Sequence, residues 1–127
     1  MKWHRHTSWS ELGYEESDDH FTGARFVLAR DETETDCPKI SKVHFPPGHR
    51  TEPHMHLVGY AEIILEGSVR IGRTWHTAGD IRIVGANTAY GPQEVGPDGV
   101  TMLIVFNGTD TMHVDLQGNR PESPARP

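Results

Sequence analysis

No window of helical length in this chain carries an apolar stripe at the 3.6-residue helical period. Its apolar residues fall in short runs, and turn-forming residues separate them at intervals of about 8 to 12 positions. That pattern confines the chain to an all-β sandwich or a jelly-roll barrel. The runs lie at 26–29, 39–45, 53–56, 60–65, 68–71, 74–76, 81–84 and 100–106. Alternation within 39–45 puts Val43 and Phe45 on one face and His44 on the other. Pro46-Pro47-Gly48 must interrupt the strand, because neither proline can donate to a ladder and the glycine permits a sharp bend. Gly72-Arg73 reads as a hairpin turn, and Asn87 as a loop residue that tolerates the left-handed conformation.

At 127 residues the chain is long enough for one domain with one core. The expected barrel covers 24–116. Residues 1–23 read as an arm with irregularly spaced Trp3, Trp9, Tyr14 and Phe21 and room for one short strand, and 117–127 as a frayed tail. No segment approaches the roughly 20 apolar residues of a membrane span, and the first residues lack the apolar stretch of a signal peptide, so the expectation is a cytoplasmic protein. Lone Cys37 cannot form an intrachain disulfide. The formal charge is −6, with acids gathered at 11–19 and 31–36, which argues against nucleic acid or an anionic membrane as partner.

Among the nine histidines, His54 and His56 form a pair. On a strand, residues two apart share a face with Cα atoms roughly 6 to 7 Å apart, which suits one shared metal ion bound by neutral imidazoles. Gly48, five residues, His54, one residue, His56, three residues, Tyr60, six residues and Gly67 reproduce the spacing of a known motif, G-x5-H-x-H-x3,4-E-x6-G, with Tyr60 in place of its glutamate. From Gly79, GDIRIVGANTAYGP keeps the shape of that family's second motif, with Tyr90 where the histidine belongs. On these residues, over about 39–107, the chain resembles the cupin superfamily. The resemblance implies a cupin-type jelly-roll β-barrel, a small-molecule pocket, commonly a homodimer, and a divalent metal such as Fe, Mn, Ni or Zn at the barrel mouth. It does not fix the reaction.

Two imidazoles alone rarely retain a metal, since open catalytic sites usually have three protein ligands. Glu62 is the leading third ligand. It lies two residues past Tyr60, on the same inward face and about 6.6 Å deeper. A buried carboxylate needs a cation, an arginine or a proton, so Arg82 is the competing partner. Tyr60 and Tyr90 are poor metal ligands as neutral phenols, but good hydrogen-bond donors to an oxyanion or enolate. Gln93 and Glu94 read as solvated loop residues. His44 and His49 are placed away from the site, and His4, His6, His20, His76 and His113 are expected in solvent. The favoured function is an enzyme acting on a small oxygenated organic molecule, with Tyr60, Tyr90 and Glu62 as catalytic residues and His54, His56 and Glu62 at the metal. The competing one is a ligand-binding or sensor barrel without catalysis.

Overall fold

The computed structural model describes residues 4, 6–12, 15–16, 22–27, 33–34, 36–109 and 113–114. Trp3, Tyr14, His20, Phe21, the 28–29 end of the first expected strand and the tail 117–127 lie outside the described residues. After one helical turn, α1 (Trp9–Leu12), the strands are β1 (Glu15–Glu16), β2 (Thr22–Val27), β3 (Lys39–Phe45), β4 (Arg50–Thr51) and β5 (Met55–His56). They continue with β6 (Tyr60–Ile71), β7 (Thr74–Thr77), β8 (Ile81–Val84), β9 (Gln93–Phe106) and β10 (His113–Val114). The main sheet runs β1-β2-β3-β9-β6-β7, with β4 beside β9 and β8 beside β6, and β5 pairs with β10 separately. The fold is an all-β jelly roll.

The antiparallel pair β6 and β9 organises it. Tyr60 faces Phe106 and Ile64 faces Met102, then the register slips at Ile64/Glu66 and again at Gly67/Val69 before Val69 meets Val95. The slips bend both strands, so the first half of β6 borders β8 and the second half borders β7. Gly67 is required at the bend. Its φ is +79°, and a Cβ there would run into the Gly99 carbonyl oxygen.

β9 begins seven residues earlier than the apolar run 100–106 suggests, at Gln93. Gly96-Pro97-Asp98-Gly99 looks like a turn in sequence, yet it is absorbed into the bend of the strand. Gln93 and Glu94 are accordingly strand residues. Gln93 is buried, and Glu94 bridges Arg50 and Arg70 at 2.6 Å each, tying β4 to β6 across β9. The expectation of a solvated loop fails because pairing with β6 satisfies the backbone of this stretch.

Inward residues of β6 alternate as Tyr60, Glu62 and Ile64. Two apolar clusters fill the interior. One holds Val43, Ile64, Val69, Val95, Val100 and Met102, and the other Tyr60, Val84 and Phe106 with Val58 and Tyr90 against them. On β8 the same alternation takes Arg82 and Val84 inward and leaves Ile81 and Ile83 exposed. Asn87 has φ +59°, the left-handed conformation expected of it, and its N–H donates to the His56 carbonyl at 2.8 Å. No helix among the described residues is long and apolar enough to cross a membrane.

Candidate functional site

β5 is only two residues long, and its neighbours hold it in place. His54 and Tyr90 exchange two backbone hydrogen bonds of 3.4 Å as an isolated antiparallel bridge, and Asn87 secures the His56 carbonyl on the same edge. Directly opposed residues of an antiparallel pair share a face. Tyr90 is therefore brought beside the His54–His56 pair, as the second motif implies. The ring centroids of His54 and His56 are 5.1 Å apart, those of His54 and Tyr90 5.4 Å, and those of His56 and Tyr60 4.9 Å. Phe106 closes the group, 5.3 Å from His56 and 5.5 Å from Tyr60. Both histidines are half-buried. The His54 Nδ1 lies 3.0 Å from the Glu52 carbonyl oxygen, which can only accept, so Nδ1 is the donor, and in a neutral ring the lone pair is then on Nε2.

Glu62 is placed differently from the metal expectation. It is 4% exposed and faces Arg82 across the β6–β8 ladder, where the guanidinium donates to its carboxylate. Among the residues whose side chains are described, no group of three histidine, cysteine or acidic side chains comes together to hold a metal, and Glu62 does not join His54 and His56. The competing partner, Arg82, has it. Burial holds the Glu62 carboxyl above its usual range, with the Arg82 charge and hydrogen bond opposing. Burial works against the Arg82 charge, but Glu62 and the two phenols outweigh it and leave the guanidinium more firmly protonated than usual.

The same guanidinium lies 3.9 Å from the centroid of the Tyr90 ring, a cation–π contact that links the ion pair to the site. Burial, then the neighbouring Tyr90 and Glu62, hold the Tyr60 phenol far above its ordinary value; burial and Glu62 also raise Tyr90, with Tyr60 and Arg82 opposing. Both are neutral donors. The Tyr60 hydroxyl is buried, and Tyr90 comes near enough to perturb it, yet it has no hydrogen-bond partner in bonding geometry among the described residues. The Arg82 Nε is likewise unmet. Beside the ion pair is a cavity of about 10 Å³ lined by Glu62, His76, Asp80, Arg82 and apolar side chains. That holds about one water. His76 therefore borders the interior, half-buried, where solvent was expected; it sits in β7 opposite Val69 and shares the lining of that cavity with Glu62. His44 turns its Nδ1 to the Thr101 hydroxyl at 2.9 Å, outside the site.

No protein-family model matches the sequence, and no curated protein matches it. Solved structures do. An RmlC-like cupin protein from Ralstonia eutropha superimposes with a TM-score of 0.68 and 17% identity, over 89% of this chain and 73% of that one. This chain has the cupin fold. A candidate acetylacetone dioxygenase from Methylibium petroleiphilum gives a TM-score of 0.68 at 14% identity, over 94% of this chain and 86% of that one. An oxalate decarboxylase from Bacillus subtilis gives 0.64 at 16% identity over 80% of this chain. The chain spans 28% of the length of that decarboxylase. Within the cupin fold, Tyr60 and Tyr90 stand where the motifs have a glutamate and a histidine, and both line the His54–His56 group.

Proposed function

We propose that this cupin is an enzyme acting on a small oxygenated organic molecule at the His54–His56–Tyr60–Tyr90 group. The observation that carries the reading is the buried Tyr60 hydroxyl with no partner among the described residues. A buried hydroxyl left unmet costs about 1 to 3 kcal/mol, a sacrifice that makes sense where a ligand oxygen completes the bond. The one-water cavity at the Glu62–Arg82 pair is too small for an organic substrate. Binding is assigned to the half-buried histidine side of the cluster.

Two imidazoles fit a divalent ion. They are adjacent, and the proton on Nδ1 of His54 leaves Nε2 as the donor nitrogen, the usual arrangement of a metal-bound histidine whose other N–H meets a carbonyl. A bound divalent metal supplies Lewis-acid polarisation of a substrate oxygen or, for a redox metal, oxygen chemistry. The rest belongs to the chain. Tyr60 donates a hydrogen bond to oxygen that gains negative charge, and its high pKa keeps the proton on the phenol until then. Arg82 under the Tyr90 ring fixes that ring and adds positive potential where an anion would develop. Glu62, committed to Arg82, acts by positioning that guanidinium and not as a metal ligand.

A second reading, a ligand-binding barrel without catalysis, is favoured by one observation: the buried carboxylate of Glu62 is tied up by Arg82. Metal content and turnover separate the two. The chain purified without chelator is expected to hold near-stoichiometric metal that His54→Ala and His56→Ala lose. With small diketones and dicarboxylic acids as probes, oxygen uptake or carbon dioxide release should fall at least tenfold in Tyr60→Phe. Wild-type protein that holds no added metal and turns over none of these probes, yet binds them, would establish the second reading.

A further inference from the structure

The carboxylate expected to complete a metal site is held by Arg82, and the second-motif histidine is Tyr90, so the pair His54–His56 lacks a third donor in both customary places. The other edge of β5 offers one. Strand β10 pairs antiparallel with β5, with His113 opposite His56 and Val114 opposite Met55. Opposed residues of an antiparallel ladder share a face, and residues two apart along a strand share it too. Positions 54, 56 and 113 therefore occupy one face of a two-stranded ribbon.

The pairing type tightens this placement. His56 directs its carbonyl to Asn87, on the edge that also bears the Tyr90 bridge. A residue's N–H and C=O point to the same side in a strand, so His56 offers neither to β10, and His56–His113 is the non-hydrogen-bonded type of pair. In such pairs the Cα atoms approach to about 4.5 Å, closer than in hydrogen-bonded ones. The His54 position lies one strand repeat away, roughly 6 to 7 Å. Three positions at those separations are within reach of one ion through bonds of about 2.0 to 2.1 Å to imidazole nitrogen.

We propose that His113 is the third ligand of a three-histidine site for a divalent transition metal, formed when β10 docks on β5. The proposal rests on the reading of His54 and His56 as ligands and goes beyond it in naming the ligand that the two motifs do not supply. Three neutral imidazoles leave the full double charge on the ion and suit Zn, Fe, Ni or Cu better than Mg or Ca. The set also accounts for the tyrosines at the two motif positions: with His113 as ligand, Tyr60 and Tyr90 are released to face substrate.

The test is titration of the full chain, stripped with chelator, with Co²⁺, read by its visible absorption and by competition with Zn²⁺. The wild type is expected to bind one ion per chain. His113→Ala should weaken binding by more than the roughly 10- to 100-fold that loss of an outer partner costs, and should alter the Co²⁺ spectrum. His113→Cys, which restores a donor, should recover tight binding with a new thiolate-to-metal band, and His44→Ala, outside the site, should bind as wild type does. Metal-free melting temperatures of the variants show whether β10 still docks; the Cys variant decides the matter if the Ala variant melts early. Wild-type affinity in His113→Ala, with binding lost in His54→Ala and His56→Ala, would overturn His113 and leave the pair standing. Absence of binding in the wild type, or unchanged binding in His54→Ala and His56→Ala, would overturn both.

Discussion

Arg82 is wedged between the Glu62 carboxylate and the face of the Tyr90 ring, so one side chain joins a buried charge to the candidate site. Substitution by Met would keep the volume and leave Glu62 unpaired. Breaking a buried pair from one side costs about 3 to 5 kcal/mol, whereas replacing both partners by apolar groups is often neutral. Chemical unfolding should therefore show a large loss in Arg82→Met and a partial recovery in Glu62→Met/Arg82→Met. The loss should also depend on pH. Burial raises the folded pKa of Glu62 above its ordinary 4.5, so its contribution is fully present below 4.5 and fades as pH rises through the folded value. Without Arg82, which opposes that rise, the folded value climbs further and the penalty grows toward neutral pH. An equal penalty at pH 4.5 and pH 7 would contradict this account. Tyr60→Phe should do the opposite to stability: deleting a buried hydroxyl with no partner among the described residues should leave the fold unchanged or up to about 1 kcal/mol more stable while turnover falls. Stability lost together with turnover would mean that the phenol serves the fold.

At the scale of elements, the bend shared by β6 and β9 sets the barrel's shape, and Gly67 is its least replaceable residue. Gly67→Ala must accept a left-handed backbone, about 1 to 2 kcal/mol for a residue with a Cβ, and clear the Gly99 carbonyl, about 1 to 3 kcal/mol more. Gly72, also left-handed at φ +62°, has open space around it, so Gly72→Ala should cost only the backbone part. Urea midpoints of the two variants test the difference; equal losses would remove the close approach as the cause. The Gly67 position was legible because motif spacing is local, and so was the inward row Tyr60, Glu62, Ile64, which follows from period-2 alternation alone. The long start of β9 was not, because Gly96-Pro97-Asp98-Gly99 is a turn by local chemistry and a strand only by its pairing with β6. The place of His76 at the interior and the pairing of position 113 with β5 were not legible for a related reason. Each position acquires its place from a register with a strand distant in sequence or reached only through a hairpin, β6 for one and β5 for the other, and no spacing within their own segments signals it.

For the whole molecule, β5 is the point where distant parts of the chain are joined. Tyr90 and Asn87 hold one edge and β10 the other, so positions 54–56 and 113 become neighbours only in the folded barrel. A metal bound by His54, His56 and His113 would bind the folded state and not the open chain, and would stabilise it by mass action. At an ion concentration about 100 times the dissociation constant the gain is about 2.7 kcal/mol. For a domain of 127 residues that corresponds to a rise in melting temperature of roughly 10 °C. Thermal unfolding of chelator-stripped protein with added Zn²⁺ should show this rise, and renewed chelation should reverse it. In His54→Ala the metal should add nothing, because the two donors that remain bind too weakly to bias folding. The magnitude separates a site built by the fold from adventitious binding: an ion held equally by the unfolded chain's histidines raises the melting temperature little, however much metal the protein carries. A wild-type shift of only a degree or two at saturating Zn²⁺ would show that β5 and β10 do not form a metal-binding face in the native barrel.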